Sequence, residues 1–510
     1  MSTSQRVAII GAGAGGLAAA RWLTSEGFAP VLFEASSTAG GQWGGDPKVS
    51  AIWPTMRTNT SRVLTQFSDL PHRAGLPAFP SNREIGAYLS RYIDHFDLRE
   101  KIQLRTPVSE VRAVRGGYAV RYGEREEVFE KVVVAVGRFQ HGWTPDVPGL
   151  ASFTGSAGAI HAKDYKEPER YRGKRVLVAG GAITALEIAS DLAALGAQVV
   201  LSSRRHRYVM PKIVAGVPSD HRMFTRYQVL AEETLPRPEF GALTKAQVLD
   251  WWGSPDQYGA PKPAAALGEA GLTVSQHFLP MVAEGRIEVR PWLDRVDGAN
   301  VTFSDGQVEE FDGILFGTGF DLRLPFLSEE IRRTVKLAQE SIELYRHTFH
   351  PELPGLAFMG LWDQGGPFLP PLELQARWLA YAWSGAVAAP TANEMAAAIS
   401  EGYELGAEPQ KTKMNLVTLL FARAAGVEPE PHRWPELKRA LLFGPLVPVS
   451  FRLQGRDALR DAAARVAEET AAFGSIESPE FTELELGKVR KLADRPHSAR
   501  VEAWASAVLR

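Results

Sequence analysis

Two glycine-rich turns, each placed between a strand and a helix, constrain the fold of this chain more than any other feature. Residues 7–10 read as a buried strand, 11–16 as a turn, 17–25 as a helix and 31–33 as a second strand. The same order of elements recurs over residues 175–201. A repeated strand–turn–helix–strand unit is typical of doubly wound sheets that bind dinucleotides. The sequence therefore predicts an α/β protein with two nucleotide-binding units.

The first turn, called the first cradle (residues 11–16), carries Gly11, Gly13 and Gly16 in a GxGxxG pattern. In such a turn the glycines allow a tight bend, close approach of a pyrophosphate and close helix–strand packing. The helix N-terminus adds N–H donors and partial positive charge. Glu34 ends the next strand, where a carboxylate can accept hydrogen bonds from ribose hydroxyls but repels a 2′-phosphate. The first cradle is thus expected to bind FAD.

The second turn, called the second cradle (residues 180–185), is degenerate because Ala182 stands where the second glycine belongs. We expect its methyl group to push a phosphate outward and to loosen or re-angle binding. Arg204 and Arg205 follow the next strand at the register that Glu34 occupies in the first unit. Arginine at this place can bind a 2′-phosphate through charge-assisted hydrogen bonds, whereas the alternative is a solvated basic loop. The second cradle is therefore expected to prefer NADPH.

The composition excludes several functional classes. The chain has 510 residues, a net charge of −2 and no cysteine. Without cysteine there is no disulfide, no thiolate nucleophile and no redox-active pair of a flavin disulfide reductase. The charge balance gives no basic patch for nucleic acid. We expect a cytoplasmic, soluble protein.

Two apolar segments need an alternative explanation. Residues 7–23 lack the basic region of a signal peptide and carry the cradle glycines instead. Residues 441–449 are too short to span a bilayer. His347 and His350 lack convergent acidic partners, so no metal site is expected.

The motifs suggest that the second nucleotide-binding domain is inserted into the first. The first domain is expected over residues 1–160 and again over 312–450. The NADP-binding domain is expected over 161–311, with a helical insertion at 206–275 rich in Pro, Trp and Tyr. Residues 451–510 read as a helical C-terminal segment. The predicted fold is thus two Rossmann-like dinucleotide-binding domains, one for FAD and one for NADP, plus a helical insertion.

Further motifs, combined with the two cradles, are more specific than either turn alone. They lie at residues 40–43, 58–61 with 67–71, 135–137 and 317–320, 153–155 with His161 and Tyr165, 345–351, and 373–378. From residue 7 to about 453 the chain resembles the flavin-containing monooxygenases, in a soluble bacterial form, which are related to the Baeyer–Villiger monooxygenases. His161 is equally compatible with a motif role and with simple packing in the linker.

The resemblance implies a reaction cycle. NADPH reduces FAD, O₂ adds at flavin C4a, and a protonated hydroperoxide offers oxygen to an amine or a sulfide. It also implies that Asn59 is the catalytic residue, donating to the peroxyflavin or to bound NADP⁺. With the cradles, the expected cofactor-binding residues are Gly11, Gly13, Gly16, Glu34, Gln42, Trp43, Thr58, Asn59, Thr60, Gly180, Thr184, Ala185, Leu186, Glu187, Arg204 and Arg205.

Three functions remain open at this point. The Baeyer–Villiger branch, which oxygenates ketones, usually has Trp where this chain has Tyr165 and tends to have an acid where it has Asn59. Besides the amine or sulfide monooxygenase and the Baeyer–Villiger enzyme, the third possible function is an NADPH oxidase that has no organic substrate. The preferred partners are O₂ and a small amine, sulfide or ketone, and a homodimer is one alternative for the oligomeric state. A nearby arginine would favour a deprotonated, nucleophilic peroxide, and Arg57, Arg62 and Arg377 lie in motif-bearing segments.

Overall fold

The computed structural model describes residues 5–404 and 411–509. The first cradle directly follows the central strand of a five-stranded parallel sheet, called the first sheet. Its strands, in spatial order, are Leu356–Phe358, Lys131–Val134, Arg6–Ile10, Ala29–Phe33 and Ile102–Gln103. Every neighbouring pair is parallel. Helices Ala14–Ser25 and Leu369–Ser384 pack against each other beside this sheet. The central strand is almost wholly buried, as a parallel strand between covered faces requires.

The second cradle lies in a second five-stranded parallel sheet with the same order of elements. Its strands, in spatial order, are Ile287–Arg290, Gln198–Ser202, Arg175–Ala179, Gly313–Phe316 and Gly158–His161. Helix Ile183–Ala194 has 12 residues, as has its counterpart Ala14–Ser25 in the first domain. Each domain also carries a three-stranded antiparallel sheet, which precedes the strand Lys131–Val134 in the first domain and the strand Gly313–Phe316 in the second. These sheets comprise Val108–Val114, Gly117–Tyr122 and Arg125–Phe129 in one, and Leu293–Asp297, Asn300–Phe303 and Val308–Glu310 in the other.

Two neighbouring strands at one side of the second sheet extend beyond the boundaries expected from the sequence. Gly158–His161 and Gly313–Phe316 pair with each other in this sheet, which therefore extends over 158–316 rather than 161–311. The expected boundaries were wrong because both domains contain apolar strands that end in glycine. Such a run does not reveal which sheet it joins, since only the hydrogen-bond pairing decides that.

Residues 206–275 form a mainly helical insertion, as the composition suggested. Its helices are Asp220–Met223, Arg226–Thr234, Arg237–Trp252 and Leu267–Ala270. The short strands Tyr208–Met210 and Leu272–Val274 pair in parallel at its two ends. The insertion therefore leaves and rejoins the second domain at one place.

The chain beyond the first sheet is largely helical. Besides Asn82–His95, Phe278–Ala283 and Glu329–Thr334 earlier in the chain, the helices here are Leu369–Ser384, Ala392–Glu404, Met414–Ala424, Lys438–Phe443, Ala462–Ala471, Glu483–Ala493 and Ala499–Leu509. The C-terminal segment is fastened by buried ion pairs, Arg377 with Asp457 and Arg452 with Asp69. Within 5–404 and 411–509, no helix is long and apolar enough to cross a membrane.

Candidate active site

The first cradle has the geometry of an anion-binding turn. Gly11 has a φ of +102°, and a Cβ there would lie 2.7 Å from the carbonyl oxygen of Ala135. A Cβ on Gly16 would overlap the carbonyl oxygen of Gly11. Helix Ala14–Ser25 starts directly after Gly13 with no side-chain cap and no acid in its first turn. Its first N–H groups are therefore free to bind a phosphate.

Glu34 and the loop 40–43 complete this side of the site. The Glu34 carboxylate is buried and accepts hydrogen bonds from the backbone N–H groups of Ala12, at 2.7 Å, and Ser36, at 2.9 Å. Together with a bond from the Ser36 hydroxyl to Oε1, at 2.8 Å, these bonds hold it beside the cradle, while Oε2 keeps a lone pair for a ribose hydroxyl. Gly41 approaches Gly13 so closely that a Cβ on Gly41 would lie 2.9 Å from the Gly13 Cα. The loop thus covers the turn without filling the space in front of the helix.

Gln42 and Trp43 have different roles within that loop. The Gln42 side chain accepts from the Ala51 N–H at 2.6 Å and donates to the Phe139 carbonyl oxygen at 3.1 Å. It therefore positions the surrounding loops, although it also lines the cavity described below. Trp43 is half-buried, packs against the core of the first domain and lines the same cavity. Trp43 therefore packs in the core and also faces the cavity.

Asn59 stands on a rigid loop, called the Asn59 loop (residues 58–61). The Thr58 hydroxyl donates to the Thr60 carbonyl oxygen, and the Thr60 and Thr65 hydroxyls are 2.8 Å apart. The backbone N–H of Ser61 donates to the Asp220 carboxylate at 2.6 Å. Asn59 Oδ1 is buried and has no hydrogen-bond partner in the described chain. The threonines hold the loop, and Asn59 is left available for a bound group.

The second cradle reproduces the backbone of the first despite its alanine. Ala182 has φ −107° and ψ 177°, close to the −75° and −177° of Gly13. This is extended backbone that any residue adopts, so the alanine costs no strain. Its methyl group is exposed and leaves the turn unchanged. The true requirement for glycine is at Gly180, whose φ is +140°.

The predicted residues at the start of the second helix have separate environments. Thr184 lines the cavity, whereas Ala185 and Leu186 are buried in the core of the second domain. Glu187 forms an ion pair with Lys212 at 2.6 Å and accepts from the Ser275 hydroxyl at 2.8 Å. The latter three therefore support the cradle and tie it to the insertion, while Thr184 is placed to contact a ligand.

The basic side of the second cradle is formed by Arg205 and Arg207. Both line the cavity, while Arg204 lies over the ring of Trp292 at 4.4 Å and does not. Burial, and then the neighbouring Arg205, lower the pKa of Arg207. No ion pair engages either guanidinium in the described ranges, and the Arg205 side chain donates to the Glu269 carbonyl oxygen. Sequence analysis missed Arg207, although the run of basic residues extends to it.

A single cavity of about 1860 Å³ joins both cradles. It is lined by the first cradle, the Asn59 loop, the second cradle and the insertion. The chain passes between the two domains at two short strands, His141–Gly142 and Phe320–Asp321, which pair with each other beside the cavity. His161 is buried there, and its Nε2 donates to the Gly319 carbonyl oxygen at 2.9 Å. Two nucleotides bound in the cradles would thus share one cavity.

The three arginines of the motif-bearing segments do not line this cavity. Arg57 is exposed, Arg62 lies over the ring of Phe473 at 4.6 Å, and Arg377 is buried beneath the C-terminal segment. Arg138 does line it, and its guanidinium donates to the Leu361 carbonyl oxygen at 3.2 Å.

Comparison with known proteins agrees with this arrangement. The sequence profile of the family described as Flavin-binding monooxygenase-like matches residues 4–472. Dimethylaniline monooxygenase (N-oxide-forming) 2 of Rattus norvegicus is 31% identical, over 88% of this chain and 89% of that protein. The structure of S-allyl-L-cysteine S-oxygenase from Allium sativum covers 92% of this chain and 99% of its own, with a TM-score of 0.63 at 23% identity.

A cyclohexanone monooxygenase bound to epsilon-caprolactone has the same fold. Its structure aligns over 83% of this chain and 98% of its own, with a TM-score of 0.64 at 19% identity. At these identities the two structural likenesses concern the fold alone.

Proposed function

Because this chain belongs to the flavin-binding monooxygenase-like family and is a flavin-dependent oxidoreductase, we propose that it oxygenates soft nitrogen or sulfur nucleophiles of small molecules with NADPH and O₂. The observation that carries the proposal is the shared cavity, in which both cradles and the Asn59 loop meet. A hydride donor in one cradle and a flavin in the other could react only if they share such a space.

FAD fits the first cradle. The uncapped N–H groups of helix Ala14–Ser25 would hold its pyrophosphate, and Glu34 would accept from its ribose hydroxyls. Trp43 would pack against it from the covering loop. Bound there, FAD would supply the redox chemistry that activates O₂, which is the source of the transferred oxygen atom.

NADPH fits the second cradle. The uncapped start of helix Ile183–Ala194 would hold its pyrophosphate, and Thr184 would contact it from the first turn. Arg205 and Arg207 form an unpaired positive pair beside this turn, which suits a 2′-phosphate. A nucleotide without this phosphate would leave the partly buried Arg207 and the exposed Arg205 without an anion.

Asn59 would act on the transferred oxygen without bringing a charge to it. Its amide can donate one hydrogen bond and accept another, and the threonines beside it fix its position. The insertion would cover the cavity and exclude water, which limits wasteful release of H₂O₂.

The choice of nitrogen or sulfur over ketones follows from charge. A neutral amide favours a protonated peroxide, which is electrophilic, whereas a nearby guanidinium favours the anion that attacks carbonyls. Arg57, Arg62 and Arg377 do not line the cavity, which supports the first alternative. Arg138 does line it, with a neutral carbonyl oxygen as its partner, and its charge favours the second.

The test is steady-state NADPH consumption with an aryl methyl sulfide, a tertiary amine and a cyclic ketone, with H₂O₂ measured alongside. We expect faster oxygenation of the sulfide or the amine, tightly coupled to NADPH. Ester formation from the ketone, with sulfide and amine both inert, would instead support a Baeyer–Villiger enzyme. H₂O₂ formation that no substrate suppresses would support an oxidase.

A further inference from the structure

Asp220 connects the insertion to the Asn59 loop. It is the first residue of helix Asp220–Met223, is 5% exposed and lines the cavity. One carboxylate oxygen, Oδ2, accepts from the backbone N–H of Ser61, two residues after Asn59. The other, Oδ1, is buried and has no hydrogen-bond partner within residues 5–404 and 411–509.

No ion pair within residues 5–404 and 411–509 neutralises the Asp220 carboxylate, although hydrogen bonds from Ser61 and from the His221 backbone stabilise its charge. Burial lowers the pKa of the adjacent His221 to about 3, so this imidazole is neutral at pH 7. The Arg62 guanidinium lies over the ring of Phe473. Of the lysines that line the cavity, Lys212 is paired with Glu187 and Lys413 with Glu232. Burial also raises the pKa of Asp220 to about 6, which leaves the carboxylate mostly ionised at pH 7.

The unpaired oxygen calls for a donor. Leaving a buried charged acceptor unpaired costs on the order of 1–3 kcal/mol or more, so such atoms are usually satisfied. Asn59 Oδ1, on the loop that Asp220 contacts, also lacks a partner. Both atoms are acceptors, so a ligand at this end of the cavity should present N–H groups.

Apolar side chains follow Asp220 along the cavity wall. Met223 and Phe224 follow Asp220 in the same segment and line the cavity, as does Leu416. An apolar body with a positively charged nitrogen would therefore match both the wall and the carboxylate. Phe224 could add a cation–π contribution.

We propose that Asp220 binds the protonated nitrogen of an amine substrate and accepts its proton before oxygenation. This inference rests on the proposed function and names its preferred substrate class. The step converts R₂NH₂⁺ and a carboxylate into R₂NH and a carboxylic acid, and no electrons are transferred. It frees the nitrogen lone pair, which an electrophilic oxygen requires. After the product leaves, the proton returns to water.

The experiment compares two substrates of the same shape, N-methylbenzylamine and benzyl methyl sulfide, in the full-length FAD-loaded protein. Asp220→Asn keeps an oxygen for the Ser61 N–H but removes the charge. We expect the KM for the amine to rise about 10- to 100-fold, the factor for one charged hydrogen bond. The KM for the sulfide should change by less than about twofold, and flavin reduction by NADPH should be unchanged.

Glu232→Gln is the matched control, because Glu232 also lines the cavity but is paired with Lys413. It should leave both KM values unchanged. If Asp220→Asn affects amine and sulfide equally, or impairs NADPH binding instead, the proposal is wrong. If wild-type protein oxygenates neither compound, the proposed function fails and not this inference alone.

A second measurement on wild-type protein covers the case in which Asp220→Asn does not fold. The benzamidinium cation, which presents N–H groups and has no amine lone pair to oxidise, should inhibit sulfide oxygenation competitively. Its neutral analogue of the same shape, benzamide, should inhibit much more weakly. Equal inhibition by both compounds would overturn the proposal.

Discussion

Coenzyme selectivity should depend on Arg207 and Arg205 and not on Arg204. Arg207 is half-buried and lines the cavity beside the second cradle, whereas Arg204 is exposed and lies over Trp292. Replacing Arg207 with alanine removes one of two guanidiniums that no carboxylate neutralises in the described ranges. The change should therefore weaken NADPH much more than NADH.

The magnitude follows from the number of bonds lost. A hydrogen bond to a charged group contributes about 1.5–3 kcal/mol, which corresponds to about 10- to 100-fold in affinity. We expect that factor for NADPH with Arg207→Ala and a change below about threefold for NADH. Because Arg205 and Arg207 repel each other, removing one relieves the other. The loss in the double variant should therefore be smaller than the sum of the two single losses.

The assay is the KM for NADPH and for NADH in steady state, together with the Kd for NADP⁺ from quenching of flavin fluorescence. Arg204→Ala serves as the matched control, with the same change of charge and a nearby position in the chain. Equal losses for both coenzymes would show that Arg207 does not contact the 2′-phosphate. A loss in Arg204→Ala as large as in Arg207→Ala would refute the assignment of the two side chains.

Three further predictions concern the first cradle, the Asn59 loop and stability. The purified protein should be yellow and release FAD on denaturation. Gly16→Ala should not bind FAD, because a Cβ at this position overlaps the Gly11 carbonyl oxygen. Full retention of FAD by this variant would contradict the geometry of the first cradle. Asn59→Ala should still bind FAD and be reduced by NADPH but release H₂O₂ in place of oxygenated product; coupled turnover at the wild-type rate would remove Asn59 from the mechanism. Burial lowers the pKa of His221 in the folded protein to about 3, whereas a histidine of the unfolded chain has a pKa of about 6.5. As the pH drops from about 6.5 towards 3, the unfolded chain is therefore protonated at His221 before the folded protein is, and the free energy of unfolding should fall. Urea denaturation should show a shallower fall in His221→Gln.

Local patterns predicted both cradles because their chemistry is contained in short segments. Gly11 and Gly16 are required by contacts with neighbours in the turn or the adjoining strand, and Glu34 lies at the end of the next strand. Spacing alone did not reveal that the backbone of Ala182 is extended, and the expected outward displacement of a phosphate by its methyl group stays a prediction. Likewise, the basic run after the second cradle predicted a phosphate site but not which arginine faces it.

Short sequence motifs were enough to predict the two dinucleotide-binding units, the family resemblance and Asn59 as the candidate catalytic residue. Each motif consists of a few neighbouring residues, whose backbone geometry follows from local composition. Contacts between distant segments, by contrast, place Gly313–Phe316 in the second sheet, Arg207 on the cavity wall and Asp220 against the Asn59 loop. Ser61 and Asp220 are 159 residues apart in the chain. No periodicity links such positions, because their contact arises only when the insertion folds over the first domain and buries a carboxylate against its backbone.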